Sequence, residues 1–317
     1  MNCFYDCIDC GSEFCPCELA EGGECLVCSR LSGNGSCNCD WKGICVYNEF
    51  VNAGFRAKKR RPEFEADIVK RDEYESDTFV LVINVGRSLA QKASLPGSYV
   101  FLKHPDDDSF YNIPISVMKA DTEEGLIYLA IKVSGVKSRR ISECDKKVVV
   151  RGIYRNGIIG VSSLFGIRGR VEPGRNIMIV TKGIGIAPAI LIKEWAGARS
   201  NVDIYADLHK LDPKIISDYL PEGNVRYIEL AKDFSHRDGK PGETIARVYS
   251  KGNYDRVVVL TSDYYIEEIK KIIDISACAN NFHLCCGEGI CGACGFTDAK
   301  GRCYKMCKCS EILTSMM

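Results

Sequence analysis

Cysteines are the residues of this sequence most able to carry chemistry. The chain has 19 of them, most of them crowded into residues 3–45 and 278–309, while Cys144 stands alone between the two groups. The N-terminus, MNCFYDCIDCGSEF, lacks the basic and apolar stretches of a signal peptide, so we expect a cytoplasmic protein. Disulfides are rare in the reducing cytosol, and clustered cysteines therefore predict metal binding.

The C-terminal cysteines begin with a C-x4-C-x2-C motif, which is the spacing of plant-type [2Fe–2S] sites. Its members are Cys286, Cys291 and Cys294. The intervening glycines allow the backbone to curl round a cluster and to direct N–H groups at its sulfur atoms. A fourth ligand is needed from Cys303, Cys307 or Cys309. We favour Cys307, because a short hairpin over 295–305 would return the chain to the motif. A zinc site is the alternative, although zinc motifs usually have closer pairs.

The N-terminal cysteines form no spacing that identifies one kind of site. The candidate ligands are Cys7, Cys10, Cys15, Cys17, Cys25, Cys28, Cys37, Cys39 and Cys45. Two C-x2-C pairs suit a metal, whereas the C-x-C pairs are too close for an ordinary zinc knuckle. Residues 1 to about 50 have few aliphatic runs, so a hydrophobic core alone cannot hold them. One or more further iron–sulfur clusters is the favoured interpretation, with structural zinc or free thiols as alternatives.

The elements that must position these cysteines change in type along the chain. Between residues 63 and 160, short runs rich in β-branched and aromatic residues alternate with turn signals. The runs are FEADIVK, TFVLVINV, SYVFLKH, NIPISVM, LIYLAIKV and KKVVVRGIY. Six such strands in about 100 residues, with little helical signal, predict a small antiparallel β-barrel.

After Pro173-Gly174 the pattern becomes one of alternating strands and helices. NIMIVTK is a buried-strand run, and a loop with Gly183, Gly185, Ala187 and Pro188 leads from it into a helical segment. Glycines at that position allow a backbone loop to approach a nucleotide diphosphate at a helix N-terminus, although a tight turn with no ligand has the same pattern. Strands alternating with helices predict a doubly wound, parallel-sheet α/β domain.

Charge and hydropathy exclude several classes of partner. Lys plus Arg and Asp plus Glu each total 42, so the excess positive charge of a nucleic-acid-binding protein is absent. No apolar run is long enough to span a membrane, and we expect no membrane association. A basic stretch over 56–61 is interpreted as a solvated linker, with a docking patch for an acidic redox partner as the alternative.

The order of these parts resembles the ferredoxin reductase superfamily. A β-barrel is followed by a strand–Gly-Ile-Gly-Ile-Ala-Pro–helix unit and then by the C-x4-C-x2-C motif. The same order is found in the electron-transfer subunit of dihydroorotate dehydrogenase. It is also found in the small subunit, with FAD and [2Fe–2S], of NADH-dependent ferredoxin:NADP oxidoreductase, once called sulfide dehydrogenase. The resemblance covers about residues 63–309 and leaves out the N-terminal extension.

The resemblance implies a set of FAD contacts. Carried over by motif, they are Tyr99, Pro114, Ile115, Ser116 and Val117 along two barrel strands, and Gly135, Lys137 and Ser138 in a phosphate-binding turn. Relatives often have an arginine just before the proline of the second strand, where this chain has Ile113. The FAD diphosphate must then be held by other groups, and Lys137 and Arg139 are the nearby cations.

Two departures from the family concern the nicotinamide nucleotide. Lys182 replaces a glycine that relatives usually have in the loop after the first strand of the α/β domain. Thr261-Ser262-Asp263 replaces a Cys-Gly-Pro motif beside the nicotinamide, and Asp263 adds a negative charge there. NAD(P)H is therefore one of two possible electron sources for this chain, and a partner's cofactor is the other.

Together these features predict four segments and one function. The segments are a Cys-rich metal segment over 1–55, an FAD-binding β-barrel over 56–170, an NAD(P)-binding-like α/β domain over 171–276 and a [2Fe–2S] segment over 277–317. We expect an electron-transfer subunit of a heteromeric oxidoreductase, with a catalytic partner subunit or ferredoxin as its partner. The alternatives are a self-contained NAD(P)H:ferredoxin reductase, and a non-catalytic metal-binding assembly or docking protein on a reductase fold.

Overall fold

The computed structural model describes residues 7–39, 41–165, 174–220, 225–235, 241–298, 301 and 303–309. The described residues divide into two compact units, each considered by itself. Unit 1 combines the residues up to Pro62 with those from Phe282 to the end of the described chain, and unit 2 is Glu63–Asn281. The four segments predicted from the sequence stay a prediction.

The helices and strands alternate as the sequence patterns indicate. The α-helices are α1 (Glu18–Glu21), α2 (Val46–Asn52), α3 (Arg87–Ala93), α4 (Val136–Ser142), α5 (Ile186–Ala196), α6 (Lys214–Tyr219), α7 (Leu230–Asp233), α8 (Glu243–Gly252) and α9 (Asp263–Lys270). The strands are β1 (Glu63–Tyr74), β2 (Thr78–Asn84), β3 (Tyr99–Lys103), β4 (Ile113–Ser116), β5 (Lys119–Asp121), β6 (Leu126–Lys132), β7 (Lys147–Tyr154), β8 (Ile158–Ile159), β9 (Asn176–Lys182), β10 (Asn201–Asp207), β11 (Val225–Tyr227), β12 (Arg256–Leu260), β13 (Ala277–Ala279), β14 (Gly295–Thr297) and β15 (Cys303–Lys305).

The first sheet of unit 2 is antiparallel and barrel-like. Among the described residues it contains seven strands in the order β4-β3-β7-β1-β2-β6-β5. Each of the six predicted runs forms one of its strands, and β5 is an addition. Alternate residues of the strands, such as Leu81, Val100 and Ile127, are fully buried in one hydrophobic core. Because successive side chains of a strand point to opposite faces, every second residue of these apolar runs contributes to this core.

The second sheet of unit 2 is parallel except at one edge. Its order is β11-β10-β9-β12-β13-β8, and β8 pairs antiparallel with β13. Buried aliphatic residues of β9 and α5, including Ile179 and Ile190, pack into the core of this sheet. The parallel order with interleaved helices agrees with the predicted doubly wound domain. β8 lies before the predicted start of that domain, so the sheet takes one strand from the end of the barrel region.

Unit 1 has little regular structure. It contains α1, α2 and the hairpin of β14 and β15, in which Gly295 pairs with Lys305. Its hydrophobic core is small and consists of Ala20, Cys28, Leu31, Val46 and Phe50. In the described part of the chain, no helix has the length and apolar composition needed to cross a bilayer.

Candidate functional site

The hairpin of β14 and β15 returns the chain to the C-terminal cysteine motif, as the sequence predicts. The backbone N–H of Met306 donates to the carbonyl of Cys294 at 3.0 Å. The N–H of Cys307 donates to Cys294 Sγ at 3.3 Å. The hairpin therefore places Cys307 beside the motif cysteines.

The thiols of the motif and of Cys307 contact one another. Hydrogen bonds from the Cys307 thiol lower the pKa of Cys286 to about 3 and that of Cys294 to about 7. The same hydrogen bonds raise the pKa of Cys307 itself. Cys291 adds a further thiol contact with Cys286, although burial is the main cause that raises its pKa. Four sulfur atoms thus converge on one region, which we call the C-terminal thiol set.

Of the other two candidates for the fourth ligand, Cys303 lies on the hairpin and Cys309 follows it. Cys303 begins β15, is exposed, and its Sγ is 3.4 Å from Thr297 Oγ1. Cys309 is buried beyond Cys307. The contacts of the described residues therefore favour Cys307 as the fourth ligand. Its role as a ligand stays a prediction.

The loop between Cys286 and Cys291 needs its glycines. Gly289 has φ +79°, and a Cβ there would lie 2.9 Å from Leu19 Cδ1 in the N-terminal segment. The N–H of Glu288 donates to Cys286 Sγ at 3.3 Å. N–H···S bonds of this kind are typical of iron–sulfur ligands, whose potentials they tune.

A second group of thiols surrounds a small cavity in the N-terminal segment. Five of the nine predicted candidates line it, and we call them the N-terminal thiol set: Cys7, Cys10, Cys15, Cys17 and Cys25. The remaining lining comes from Asp9, Pro16 and aliphatic side chains such as Leu19 and Val46. The thiol of Cys10 is hydrogen-bonded to that of Cys15, which lowers the pKa of Cys15 to about 7.

The other four N-terminal candidates do not line this cavity. Cys28 is buried in the small core, and its N–H donates to Cys25 Sγ at 3.4 Å. Cys37 and Cys45 are exposed, and Cys39 is partly exposed. Across the described residues, no three or more His, Cys, Asp or Glu side chains are arranged to hold a single metal ion.

Four buried charged side chains join the two ends of the chain within unit 1. Arg61 pairs with Asp9 at 2.5 Å and with Glu288 at 3.4 Å. Lys308 pairs with the same two carboxylates, at 2.7 Å and 2.8 Å. We call these residues the ion quartet. Their side chains are at most 8% exposed, so each charge depends on the opposite charges beside it.

The ion quartet was not predicted from the sequence. Arg61 ends the basic stretch that the sequence suggested was a solvated linker, and for this residue that expectation is wrong because its side chain is 3% exposed. Arg56 and Lys59 are exposed, as expected. The missed signal was the placement of charged residues inside the cysteine motifs, with Asp9 between Cys7 and Cys10, for example.

The electrostatics of the quartet favour the ionised forms of Asp9 and Lys308. Burial alone would raise the pKa of Asp9, but Lys308 and Arg61 outweigh burial and lower it to about 2. Burial would likewise lower the pKa of Lys308, and Asp9 and Glu288 instead raise it above its usual value. The quartet is formally neutral, since its two cations balance its two carboxylates.

In unit 2, the predicted FAD contacts on β3 and β4 divide between the two faces of the sheet. Tyr99 pairs with Ser116, and Phe101 pairs with Pro114, so these side chains share one face. Ile115 and Val117 pack towards the barrel core, as does Ile113, which replaces the arginine of relatives. β4 is an edge strand, on which Pro114 is exposed and Ser116 is partly exposed. Tyr99 is buried on the neighbouring strand and stacks on Tyr154, with 5.2 Å between the ring centres.

Arg151 is a cation on the face of Tyr99 and Phe101 that sequence reasoning missed. It pairs across β3 and β7 with Phe101, and its guanidinium lies 4.8 Å from the centre of the Phe101 ring. Its buried Nε has no hydrogen-bond partner among the described residues. A buried donor without a partner is expected to bind an acceptor from a ligand.

The predicted phosphate-binding turn lies at the start of α4. The Ser138 hydroxyl accepts hydrogen bonds from the N–H groups of Ser134 and Gly135, at 3.0 Å and 3.1 Å. Lys137 contacts the carbonyl of Phe110, just before β4, and lies over its ring at 4.4 Å. The turn is therefore close to β4, although the Ser138 hydroxyl already serves the turn itself.

The glycine loop after β9 is positioned by close packing. A Cβ at Gly185 would lie 2.2 Å from the carbonyl oxygen of Leu260, so only glycine fits there. Gly183 has φ +54° and open space around it. Ala187 is buried in the α/β core at the start of α5, and Pro188 follows it. The strand–loop–helix order is that of a nucleotide-binding turn.

A cavity of about 350 Å³ opens beside this loop, at the carboxyl ends of β9, β10 and β11. Lys182 forms an ion pair with Asp207 in its wall, and the N–H of His209 donates to the same carboxylate at 2.9 Å. Asp263 lies at the start of α9 and accepts a 2.8 Å hydrogen bond from the Asn281 side chain. The charges of Lys182 and Asp263, which depart from the family pattern, thus have partners within the unit.

Comparisons with known proteins agree with this architecture. No protein-family model matches the chain. The chain is 26% identical over 209 residues to a protein of Methanothermobacter thermautotrophicus named as a probable dihydroorotate dehydrogenase B (NAD(+)), electron transfer subunit; the match covers 64% of this chain and 73% of that protein. The structure of the NADH-dependent reduced ferredoxin-NADP oxidoreductase aligns with a TM-score of 0.54 and 18% identity, covering 76% of this chain and 85% of that one.

The resemblance deduced from the order of the motifs is thereby confirmed. Both relatives are oxidoreductases by name, one of them as an electron transfer subunit. The antiparallel barrel-like sheet followed by a parallel α/β sheet is the predicted fold. This chain is an oxidoreductase-like protein with the ferredoxin-reductase fold, similar in sequence to a dihydroorotate dehydrogenase electron transfer subunit.

Proposed function

We propose that this chain is the iron–sulfur flavoprotein subunit of a heteromeric oxidoreductase and moves electrons between a two-electron donor, FAD and a [2Fe–2S] cluster. The observation that carries the proposal is the convergence of Cys286, Cys291, Cys294 and Cys307 on one region of unit 1. Four thiols on a C-x4-C-x2-C loop and a returning hairpin fit the ligand set of a plant-type cluster.

The residues of the C-terminal loop would set the properties of that cluster. N–H groups of Glu288 and Cys307 already point at the sulfur atoms of Cys286 and Cys294. Such bonds stabilise negative charge on thiolates and so favour the reduced state of a bound cluster. When bound, FAD would supply the conversion between two-electron and one-electron transfer, and the cluster would supply one-electron transfer.

The FAD would lie along the edge strand β4, where Pro114 is exposed and Ser116 is partly exposed. Tyr99 and Ser116 share one face of the sheet with Arg151, whose buried Nε is a donor for an acceptor of the cofactor. Arg151 would then supply the positive charge that Ile113 does not. Lys137, next to the loop before β4, is a second cation within the same region.

The electron source is either NAD(P)H or a cofactor of the partner. The glycine loop and the cavity beside Lys182 and Asp207 favour a nucleotide at the carboxyl end of the parallel sheet. The partner would be a catalytic subunit or a ferredoxin, in line with the names of the two relatives. A self-contained reductase would instead need only NAD(P)H and an acceptor.

The test compares two cysteine variants of the full chain purified without oxygen. Cys307→Ser is expected to lose the absorbance and the electron paramagnetic resonance (EPR) signal of the [2Fe–2S] cluster while it retains FAD, because it removes one of four ligands. Cys303→Ser is the matched control on the same hairpin, and its exposed thiol lies outside the C-terminal thiol set. Equal loss in both variants, or retention of the signal by Cys307→Ser, would contradict the ligand assignment.

The protein purified for this test can also be used to identify the electron source. Titration of the wild-type chain with NADH and with NADPH should bleach the flavin absorbance if the nucleotide donates directly. Bleaching only after a partner subunit is added indicates the partner-dependent role. Protein that contains no flavin would overturn the flavoprotein assignment, whatever its metal content.

A further inference from the structure

The N-terminal thiol set lies outside the region that resembles known reductases. Its five cysteines line one cavity, whose other walls are largely aliphatic. We propose that Cys7, Cys10, Cys15 and Cys25 bind a second iron–sulfur cluster, and that this cluster exchanges electrons with the C-terminal one. The electron exchange rests on the proposed function, whereas the second cluster does not.

Cys10 is the central residue of the proposed site. Its thiol is hydrogen-bonded to that of Cys15 and interacts electrostatically with Cys7 and Cys25. These three neighbours and Cys10 supply the four thiolates that a cluster needs. Cys17, the fifth member of the set, would lie beside the cluster as an additional thiol.

The surroundings of the sulfur atoms fit a cluster. N–H groups are directed at three of the four proposed ligands: from Asp9 to Cys7, from Gly11 to Cys15, and from Cys28 to Cys25. A further N–H, from Leu19, is directed at the neighbouring Cys17. Directed N–H groups stabilise the charge of thiolates in a region that the aliphatic walls shield from water. Packing alone would not require three sulfur atoms to accept backbone hydrogen bonds round one cavity.

A cluster and a zinc ion make different demands on these thiols. A structural zinc ion needs four ligands that meet at one point with tetrahedral geometry. A cluster tolerates a wider spread of sulfur atoms, because its thiolates are distributed over at least two iron atoms. The metal content of the purified protein distinguishes the two.

The two thiol sets are joined by a short path through the backbone. The N–H of Ile8 donates to the carbonyl of Lys308 at 2.8 Å. Ile8 directly follows Cys7, and Lys308 directly follows Cys307. This hydrogen bond therefore connects the residue after a proposed ligand of one cluster with the residue after a proposed ligand of the other. In the exchange, one electron leaves one cluster and enters the other, and no proton or covalent bond moves.

The ion quartet also connects the N-terminal segment with the C-terminal loop. Asp9 stands between Cys7 and Cys10, and it shares Lys308 with Glu288 of the C-terminal loop. Lys308 also interacts electrostatically with Cys7 and Cys17. The two clusters would thus be separated by fixed, paired charges and not by mobile water, which keeps their relative positions constant.

The first experiment counts metal in the full chain purified anaerobically. Wild-type protein should contain more iron and acid-labile sulfide than a [2Fe–2S] cluster accounts for, with an additional EPR signal after reduction by dithionite. Cys10→Ser should lose that additional iron and signal while it retains the [2Fe–2S] signal. The control Cys45→Ser removes an exposed thiol outside the cavity and should match the wild type.

Two outcomes overturn the second cluster: zinc in place of the additional iron, or wild-type iron and sulfide in Cys10→Ser. If Cys10→Ser fails to fold, Cys307→Ser serves as the reciprocal test, because it should lose the C-terminal signal and retain the N-terminal one. This pattern also separates the two proposals, since the N-terminal signal is independent of whether FAD or the C-terminal cluster binds.

The second experiment tests electron exchange without a measurement of activity. In fully reduced wild-type protein, spin–spin interaction between two neighbouring clusters should broaden or split the EPR signals. The [2Fe–2S] signal of Cys10→Ser should then be narrow, because its neighbour is missing. A wild-type spectrum equal to the sum of two unperturbed signals would contradict the proposed exchange.

Discussion

Unit 2 and unit 1 are held together by different forces. Unit 2 has two sheets, each with fully buried aliphatic side chains such as Leu81 and Ile179. Among the described residues, unit 1 has a small core of a few side chains, and buried cysteines and the ion quartet lie beside further buried residues such as Leu19 and Met306. A unit with so little apolar area to bury needs other interactions for stability.

Because of this difference, we expect the two units to depend on their ligands to different degrees for stability. Because unit 2 has two large hydrophobic cores, we expect it to fold without a bound nucleotide. Unit 1 places thiols where metal centres would complete its interior, so metal binding and folding should be coupled there. Treatments that affect the stability of one unit and not of the other can test this expected difference.

The largest expected effect comes from metal removal. Stripping iron from the full chain should expose the amides of residues 7–62 and 282–309 to hydrogen exchange, because their unit loses the bonds that replace a core. The amides of 63–281 should retain their protection. Hydrogen exchange followed by mass spectrometry measures both regions in one sample. Equal protection of unit 1 with and without metal would contradict the coupling.

The second prediction compares neighbouring arginines in unit 1. Arg61→Met should destabilise the unit by about 3–5 kcal/mol, since it leaves Asp9 and Glu288 buried with too little positive charge. Arg60→Met is the control: Arg60 pairs with Glu18, but its side chain is 56% exposed, and its loss should change stability by about 1 kcal/mol at most. Denaturant unfolding monitored through the cluster absorbance measures the two values. Similar values for the two variants would show that the quartet does not stabilise unit 1.

The smallest expected effect concerns the glycine loop of unit 2. Gly185→Ala should cost about 3 kcal/mol, because its Cβ would meet a backbone oxygen that cannot move independently. Gly183→Ala meets no neighbour and should cost only about 1 kcal/mol for its positive φ. Thermal unfolding monitored by circular dichroism measures the difference. A larger loss for Gly183→Ala would mean that the packing against Leu260 is not the constraint.

The sequence predicted the elements whose signals are local. The runs in β1 to β4, β6 and β7 were visible because they are rich in the β-branched and aromatic residues that favour strands. β5, β8 and β13 were missed: each has only two or three residues, too few for a pattern to emerge. Their existence depends on a neighbouring strand, which only the folded chain provides.

For the candidate sites, too, the sequence indicated features formed by nearby residues and missed those formed by distant ones. The C-terminal motif and its hairpin are contiguous, so spacing alone predicted the position of Cys307. The ion quartet was not predictable, because Asp9 and Lys308 are almost the whole chain apart and charged residues usually indicate solvent exposure. Arg151 was missed because only the strand register places it beside Phe101.

Unit 1 is assembled from two distant stretches of chain, and this has a consequence for biosynthesis. Cys7 to Cys25 leave the ribosome before Glu63–Asn281 is made, whereas Lys308 is translated after it. The nascent chain therefore carries unpaired thiols through most of translation, when they are open to oxidation or to the wrong metal. Assembly of the proposed C-terminal cluster must follow synthesis of Cys307, and a dedicated delivery factor or a metal-poor, reducing interval would protect the N-terminal thiols until unit 1 is complete.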